Sequence, residues 1–229
     1  MHLVTSGCSF SDVLGYKTWP QWLAEIKGWN LTSYGMLSQG NGLISRSIIY
    51  GVDKLLSQGH DANDLIIGIM WSGPDRFDFY NPNVKYDSNI NGWRENPTGF
   101  IQGDKNWIIT NSHWKTDQSR SYYKTFHNLT GSMIMTLENI LRTQWFLEKH
   151  NIKYFMTTYK DIWFSKNSVA CQHLYSMLDM TRFIPIKGCL EWLQQKDYDG
   201  ILDDTYHPTD DGHQLFTEGV ILPYIETLL

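Results

Sequence analysis

Seven consecutive uncharged residues, Leu65-Ile66-Ile67-Gly68-Ile69-Met70-Trp71, constrain this chain more than any other stretch. A strand with one wet face alternates apolar and polar residues. A continuous apolar strand is buried on both faces, as central strands of parallel sheets are. The flanking segments agree. His2 to Thr5 is a short strand, and Trp19 to Ile26 a helix with Pro20 in its first turn, where the missing N–H does no harm. Asn30 to Tyr34 is a weaker strand. From Gly42 to Leu56, Leu43, Ile44, Ile48, Ile49, Val52, Leu55 and Leu56 recur at helical spacing. Further on come a long helix, Leu129 to His150, and a strand, Ile152 to Thr158. Short helices near Leu174 to Leu178 and Cys189 to Gln195 precede a last helix from Asp210 to Leu228. Strands alternating with helices predict an α/β fold with a parallel sheet covered on both faces.

The 229 residues suit one domain, residues 1–229. Its middle departs from the pattern. Residues 75–122 are rich in Asn, Gly, Pro, Asp and Trp, show little periodicity, and are too long for an ordinary connection. They read as an aromatic-rich insertion with short strands, one at Asn106 to Thr110, forming a lid or binding rim. Aromatic residues reach 14%, many in polar loops. They serve either as a sugar-stacking or protein-binding surface or as plugs of the core.

Composition excludes several function classes. The net charge is -5 and no Lys/Arg cluster stands out, so no nucleic-acid partner is expected. Three cysteines, Cys8, Cys171 and Cys189, form no disulfide framework and no C-x-x-C zinc motif. No signal peptide is visible, and no run approaches the ~20 apolar residues of a membrane span. The expected location is the cytoplasm, or a virion.

Chemistry concentrates at the two ends. The first strand runs into Gly7-Cys8-Ser9-Phe10, and near the far end stand Asp204, His207 and Pro208, followed by Gly212-His213. A serine hydroxyl becomes a nucleophile when an imidazole takes its proton and a carboxylate orients that imidazole. Ser9, His207 and Asp204 are the residue types required. Blander roles exist for each: Ser9 as a turn residue, His207 in a loop, Asp204 as a helix cap. Cys8 reads as a small buried residue, with a Cys8–His207 thiol enzyme as its alternative, and His213 reads as structural. A rival reading is a metal site from Asp203, Asp204, His207, Asp210, Asp211 and His213. Its spacing matches no ligand motif, and acidic residues before a helix are ordinary stabilisers.

Taken together, these blocks resemble the SGNH/GDSL hydrolase family of esterases, lipases and carbohydrate deacetylases. Gly7-Cys8-Ser9 stands where the family has G-D-S, and Asp204, His207 and Pro208 match D-x-x-H-P, the most specific of the blocks. The resemblance implies a flavodoxin-like three-layer α/β/α sandwich, a Ser9–His207–Asp204 triad acting on an ester, and no cofactor. It also implies an oxyanion glycine, best matched by Gly40 in Ser38-Gln39-Gly40-Asn41, with Gly35 as second candidate. The third block departs from the family pattern. Where the family has G-x-N-D with a donating Asn, this chain has Trp71-Ser72-Gly73-Pro74-Asp75-Arg76. Ser72, Arg76 and Asn41 are the candidate replacement donors. Losing one such donor typically costs about a hundred- to a thousandfold in rate. Trp93, Trp107 and Trp114 suggest a sugar platform, hence an acetylated glycan. The alternative is a catalytically weak or inactive module that keeps the fold and binds a glycan or a protein.

Overall fold

The computed structural model describes residues 1–13, 16–80, 107–112, 117–163, 168–196 and 199–229. Four parallel strands form the central sheet in the order β2 (Asn30–Ser33), β1 (His2–Gly7), β3 (Leu65–Trp71), β6 (Lys153–Thr158). Every residue of β3 is buried, as its uninterrupted apolar sequence predicts. It pairs with β1 from His2–Leu65 to Gly7–Met70 and with β6 from Ile66–Lys153 to Trp71–Thr158. Beyond β6, one parallel bridge from Met156 to Phe183 extends the sheet.

The strand order dictates where the helices go. From β1 the chain steps outward to β2, then back across β1 to β3, and onward to β6. Crossovers are right-handed, so α1 (Trp19–Lys27) falls on one face, and α2 (Asn41–Ser57) and α4 (Leu129–Lys149) on the other. The packing agrees. Helix α2 lies against α4, whereas α1 lies against α7 (Asp210–Phe216) and the π-turn Thr217–Ile221 that leads into α8 (Leu222–Glu226). The reversal of direction lies between β1 and β3. In open parallel sheets ligands bind beyond the carboxyl ends of the strands at such a point.

Local chemistry sets the helix ends. Thr18 and Gln21 form a reciprocal capping box at the start of α1, and Gly28, at φ 64°, closes it in the left-handed conformation. Helix α2 has no side-chain cap of its own. Its cap comes from a distant strand: the Asp78 carboxylate accepts from the Gly40 N–H and the Leu43 N–H, each at 2.9 Å.

Asp78 belongs to β4 (Phe77–Tyr80), which pairs antiparallel with β5 (Trp107–Thr110). Strand β5 matches the strand expected inside the insertion. Strand β4 and helix α3 (Asp117–Thr125) lie in a stretch whose sequence shows little periodicity. The reason for β4 is physical: its buried inward residue is a carboxylate serving another element. Helices α5 (Val169–Ser176) and α6 (Cys189–Gln194) complete the fold. No helix among the described residues is long and apolar enough to cross a membrane.

Where the β2–α2 loop passes the turn after β1, two backbones nearly touch. A Cβ on Gly35 would sit 2.0 Å from the Ser11 carbonyl oxygen. We expect Gly35→Ala to cost about 2–3 kcal/mol in urea unfolding, since neither backbone segment can yield cheaply.

Candidate active site

The turn after β1 is held from inside. The Ser11 N–H donates to the Cys8 carbonyl at 2.8 Å, closing the 3₁₀ turn Ser9–Ser11, and the Trp19 Nε1–H donates to Ser11 Oγ at 2.8 Å. Ser9 therefore stands just past the carboxyl end of β1.

His207 arrives on a narrow hairpin loop. Leu202 and Pro208 bridge antiparallel, the Asp203 N–H donates to the His207 carbonyl at 2.8 Å, and the Tyr206 N–H donates to the Asp203 carbonyl at 3.0 Å. Tyr206 takes a left-handed φ of 60°, which turns the chain back. One carboxylate oxygen organises the loop. Asp203 Oδ1 accepts from the Thr205 N–H at 2.8 Å, the Thr205 hydroxyl at 2.7 Å and the His207 N–H at 2.9 Å. Desolvation pushes the Asp203 carboxyl up, but the hydrogen bonds from Thr205 and the His207 amide, with the His207 charge, outweigh it and hold the group below the ordinary carboxylate range. The Lys17 N–H donates to Asp210 Oδ1 at 2.9 Å, tying the start of α7 to the segment leading into α1.

The two ends of the chain meet here. Ser9 Oγ lies 3.0 Å from His207 Nε2 across 198 residues of sequence. On the other side of the ring, His207 Nδ1 lies 2.9 Å from Thr205 Oγ1. One hydrogen assignment satisfies the whole line. Ser9 donates to Nε2, so Nδ1 carries the imidazole proton and donates to Thr205, whose hydroxyl donates to Asp203. The His207 ring also packs against Phe10, with centroids 5.2 Å apart.

Asp204, the carboxylate expected at Nδ1, is elsewhere. It is exposed, and among the described residues it makes no hydrogen bond to His207. The left-handed turn at Tyr206 places Thr205 against the ring and Asp203 behind it. Nothing in the D-x-x-H spacing points to Thr205. A Thr two residues before the histidine, with an Asp two before that, is the signal that was available. Cys8 is fully buried, and it is Ser9 that reaches the imidazole.

The candidate oxyanion donors divide into two groups. The Gly40 N–H is committed to Asp78. Asn41 Nδ2 donates to the Ser72 carbonyl at 3.0 Å and to Thr136 Oγ1 at 3.1 Å, while its Oδ1 accepts from the Ser72 N–H at 2.8 Å. Asn41 thus clamps the end of β3 to α2 and α4. The Gly35 N–H points at Ser33 Oγ, 3.3 Å away. Among the described residues, Ser72 Oγ and Arg76 Nη1 are sealed from solvent without a hydrogen-bond partner. The Arg76 guanidinium lies 4.9 Å from the Tyr159 ring centre and faces the Cys8 thiol, the neighbour of Ser9. Trp93 and Trp114, and the side chain of Trp107, lie outside the described residues.

His213 is buried behind the site, and its Nδ1 has no hydrogen-bond partner among the described residues. Burial, with the His207 charge adding to it, pushes its pKa down to about 3 from 6.5. The unfolded chain therefore binds a proton that the native chain refuses between those values, so His213 removes stability as pH falls through that window. Asp78 acts in the opposite sense. Burial raises it to about 6 despite the Gly40 and Leu43 amides and Arg46 and Arg76. The native state then holds a proton that the unfolded state has released, so Asp78 adds stability as pH falls through 6. A single substitution separates the two effects. We expect the stability of wild type minus that of His213→Leu to fall by about 1.4 kcal/mol per pH unit from pH 6 to pH 4, measured by urea unfolding.

The acidic residues around His207 do not converge. Asp203 turns into its own loop, Asp210 accepts from the Lys17 N–H, and His213 is buried. Among the described residues no three His, Cys, Asp or Glu side chains are grouped as a metal ion requires.

No protein-family model and no curated protein matches the chain. Solved structures are similar at low identity. A G-D-S-L family lipolytic protein from Desulfitobacterium hafniense DCB-2 has a TM-score of 0.48 and 11% identity, over 100% of this chain and 99% of its own. A member of the lipolytic G-D-S-L family from Veillonella parvula DSM 2008 has 0.48 and 12%, over 95% and 94%. An alpha/beta hydrolase enzyme from the metagenome of Lake Arreo, Spain, has 0.46 and 14%, over 100% and 96%. Each similarity runs nearly the length of both chains.

Proposed function

We propose that this protein is a serine hydrolase that cleaves an ester. The observation that carries the reading is the 3.0 Å approach of Ser9 Oγ to His207 Nε2. Ser9 Oγ attacks the ester carbonyl and His207 Nε2 takes its proton. The tetrahedral intermediate collapses as Nε2 returns that proton to the leaving alcohol. Water then attacks the acyl-serine, with His207 again as base. Thr205 and Asp203 hold the imidazole in the required tautomer. The developing oxyanion is met by the Ser9 N–H, with Arg76 or the Ser72 hydroxyl in the place of the family's Asn. Ser72 Oγ and Arg76 Nη1 are buried without a hydrogen-bond partner among the described residues, which supports that assignment. For the substrate we favour an acetyl ester on a carbohydrate, on the strength of the resemblance and the aromatic-rich insertion.

A fluorophosphonate probe should label Ser9, mapped by mass spectrometry, and should leave Ser9→Ala unlabelled. A second reading has its own support. The Gly40 N–H and the Asn41 side chain are committed elsewhere, which favours a binding module that keeps the fold without turnover. Folded protein that neither takes the label nor hydrolyses p-nitrophenyl acetate would establish that second reading.

A further inference from the structure

Past the carboxyl end of β6, where the bridge from Met156 to Phe183 extends the sheet, lies a cleft of about 550 Å³. Neither Ser9 nor His207 lines it. Its volume falls in the ~300–1,000 Å³ range of small-molecule sites. Thr157 and Thr158, the last two residues of β6, line it, with the 183–187 segment, Asp161, Trp163 and, from α5, Tyr175. Parallel sheets bind ligands at this end of their strands.

The lining is held in place without a ligand. The Ile184 N–H donates to the Met156 carbonyl at 2.9 Å, and Thr158 Oγ1 donates to the Lys187 carbonyl at 3.1 Å. These two bonds fix the 183–187 segment against β6. The Asp161 N–H donates to Glu191 Oε1 at 3.0 Å, and the Trp163 N–H donates to Asp161 Oδ1 at 3.0 Å. The Trp163 ring meets Tyr175 at 5.3 Å and Phe183 at 5.6 Å, inclined 74° to each. A pre-formed site loses little binding free energy to ordering.

The chemistry of the lining narrows the ligand. Trp163, Tyr175, Phe183 and Ile186 give it apolar surface, and its charged side chains are one carboxylate, Asp161, and one ammonium, Lys187. An ion of either sign would face a like charge. An acyl chain would take both charges out of water and pair with neither. A flat heterocycle calls for parallel aromatic faces, and the rings beside Trp163 are inclined to it. A puckered sugar ring meets the whole set. Its C–H face packs on an aromatic ring, and its hydroxyls donate to a carboxylate and accept from an ammonium. The Trp163 N–H takes one acceptor site of Asp161, and a carboxylate has about four. We propose that this cleft binds a neutral sugar residue, its apolar face on Trp163 and its hydroxyls on Asp161 and Lys187. The inference stands apart from the hydrolase reading, since it needs neither Ser9 nor turnover.

Calorimetric titration with cellobiose, maltose, lactose and chitobiose tests it, with adenosine, octanoate and phosphate as rival ligands. At least one disaccharide should bind saturably. Its affinity should fall about tenfold in Trp163→Leu and in Asp161→Asn. Asparagine keeps an acceptor for the Trp163 N–H, so the loop survives that change. Trp163→Phe, which keeps an aromatic face, should recover part of the affinity lost in Trp163→Leu. Ser9→Ala should bind the sugar as wild type does. No saturable binding of any of these disaccharides, binding indifferent to Trp163 and Asp161, or binding lost in Ser9→Ala would overturn the sugar site. So would a rival ligand that binds more tightly and is itself weakened by the Trp163 and Asp161 substitutions. Sugar binding through Trp163 and Asp161 in a protein that turns over no p-nitrophenyl acetate would leave the cleft standing and sink the hydrolase reading.

Discussion

Replacing Ser9 by alanine should lower ester turnover by at least about 10⁴-fold while leaving the unfolding midpoint within a few tenths of a molar urea of wild type. The magnitude follows from removing the nucleophile in a serine enzyme, where the residual rate reflects only binding and oxyanion stabilisation. The fold should tolerate the change because the turn is closed by the Ser11 N–H, the Cys8 carbonyl and Trp19, and the Ser9 hydroxyl takes no part in closing it. Activity equal to wild type in a Ser9→Ala protein free of contaminating esterase would end the serine reading. His207→Ala should behave similarly, with one difference: a residual rate that rises with pH, as hydroxide replaces the missing base.

The second large effect separates two neighbouring carboxylates. Asp203→Ala should lower kcat by about 10²- to 10⁴-fold, whereas Asp204→Ala should stay within about threefold of wild type. Asp203 Oδ1 holds the Thr205 hydroxyl, the Thr205 amide and the His207 amide, and Asp204 holds none of them. Part of the Asp203 effect is loss of loop shape, and Thr205 resolves that part. Thr205→Val keeps the branched side chain but removes the acceptor for the imidazole N–H, and should cost about 10-fold or more in kcat. Thr205→Ser restores the hydroxyl and should recover most of the rate. If Asp204→Ala were the damaging change and Thr205→Val harmless, the imidazole would be oriented as the D-x-x-H spacing implies, and the Thr205 relay would fall.

How much of this could be read from residues alone varies with the range of the interactions. Strand β3 was legible because burial on both faces leaves a local imprint, an uninterrupted apolar run. Helix α2 was legible from apolar residues at helical spacing. The meeting of Ser9 with His207 followed from the order of the blocks. What was not legible depends on which hydrogen bond a polar group ends up making. By sequence Gly40 is the best match for an oxyanion glycine and Asn41 a candidate replacement donor, yet the structure commits one to Asp78 and the other to Ser72 and Thr136. Asp78, in a stretch that reads as irregular, gives no local sign that it caps a helix 38 positions away. The choice between Asp203 and Asp204 turns on one left-handed residue, Tyr206, and a tyrosine carries no signal for that conformation.

The 198-residue separation of Ser9 and His207 bears on when the protein can act as well as how. On the proposed mechanism, Ser9 emerges before His207 during synthesis and stays unarmed until the loop after Ile201 has left the ribosome and docked against the first turn. A nascent or clipped chain with a well-formed sheet would still be chemically silent. Hydrolysis, if regained on refolding, would therefore time the last long-range closure of the chain, and would lag any signal that reports secondary structure.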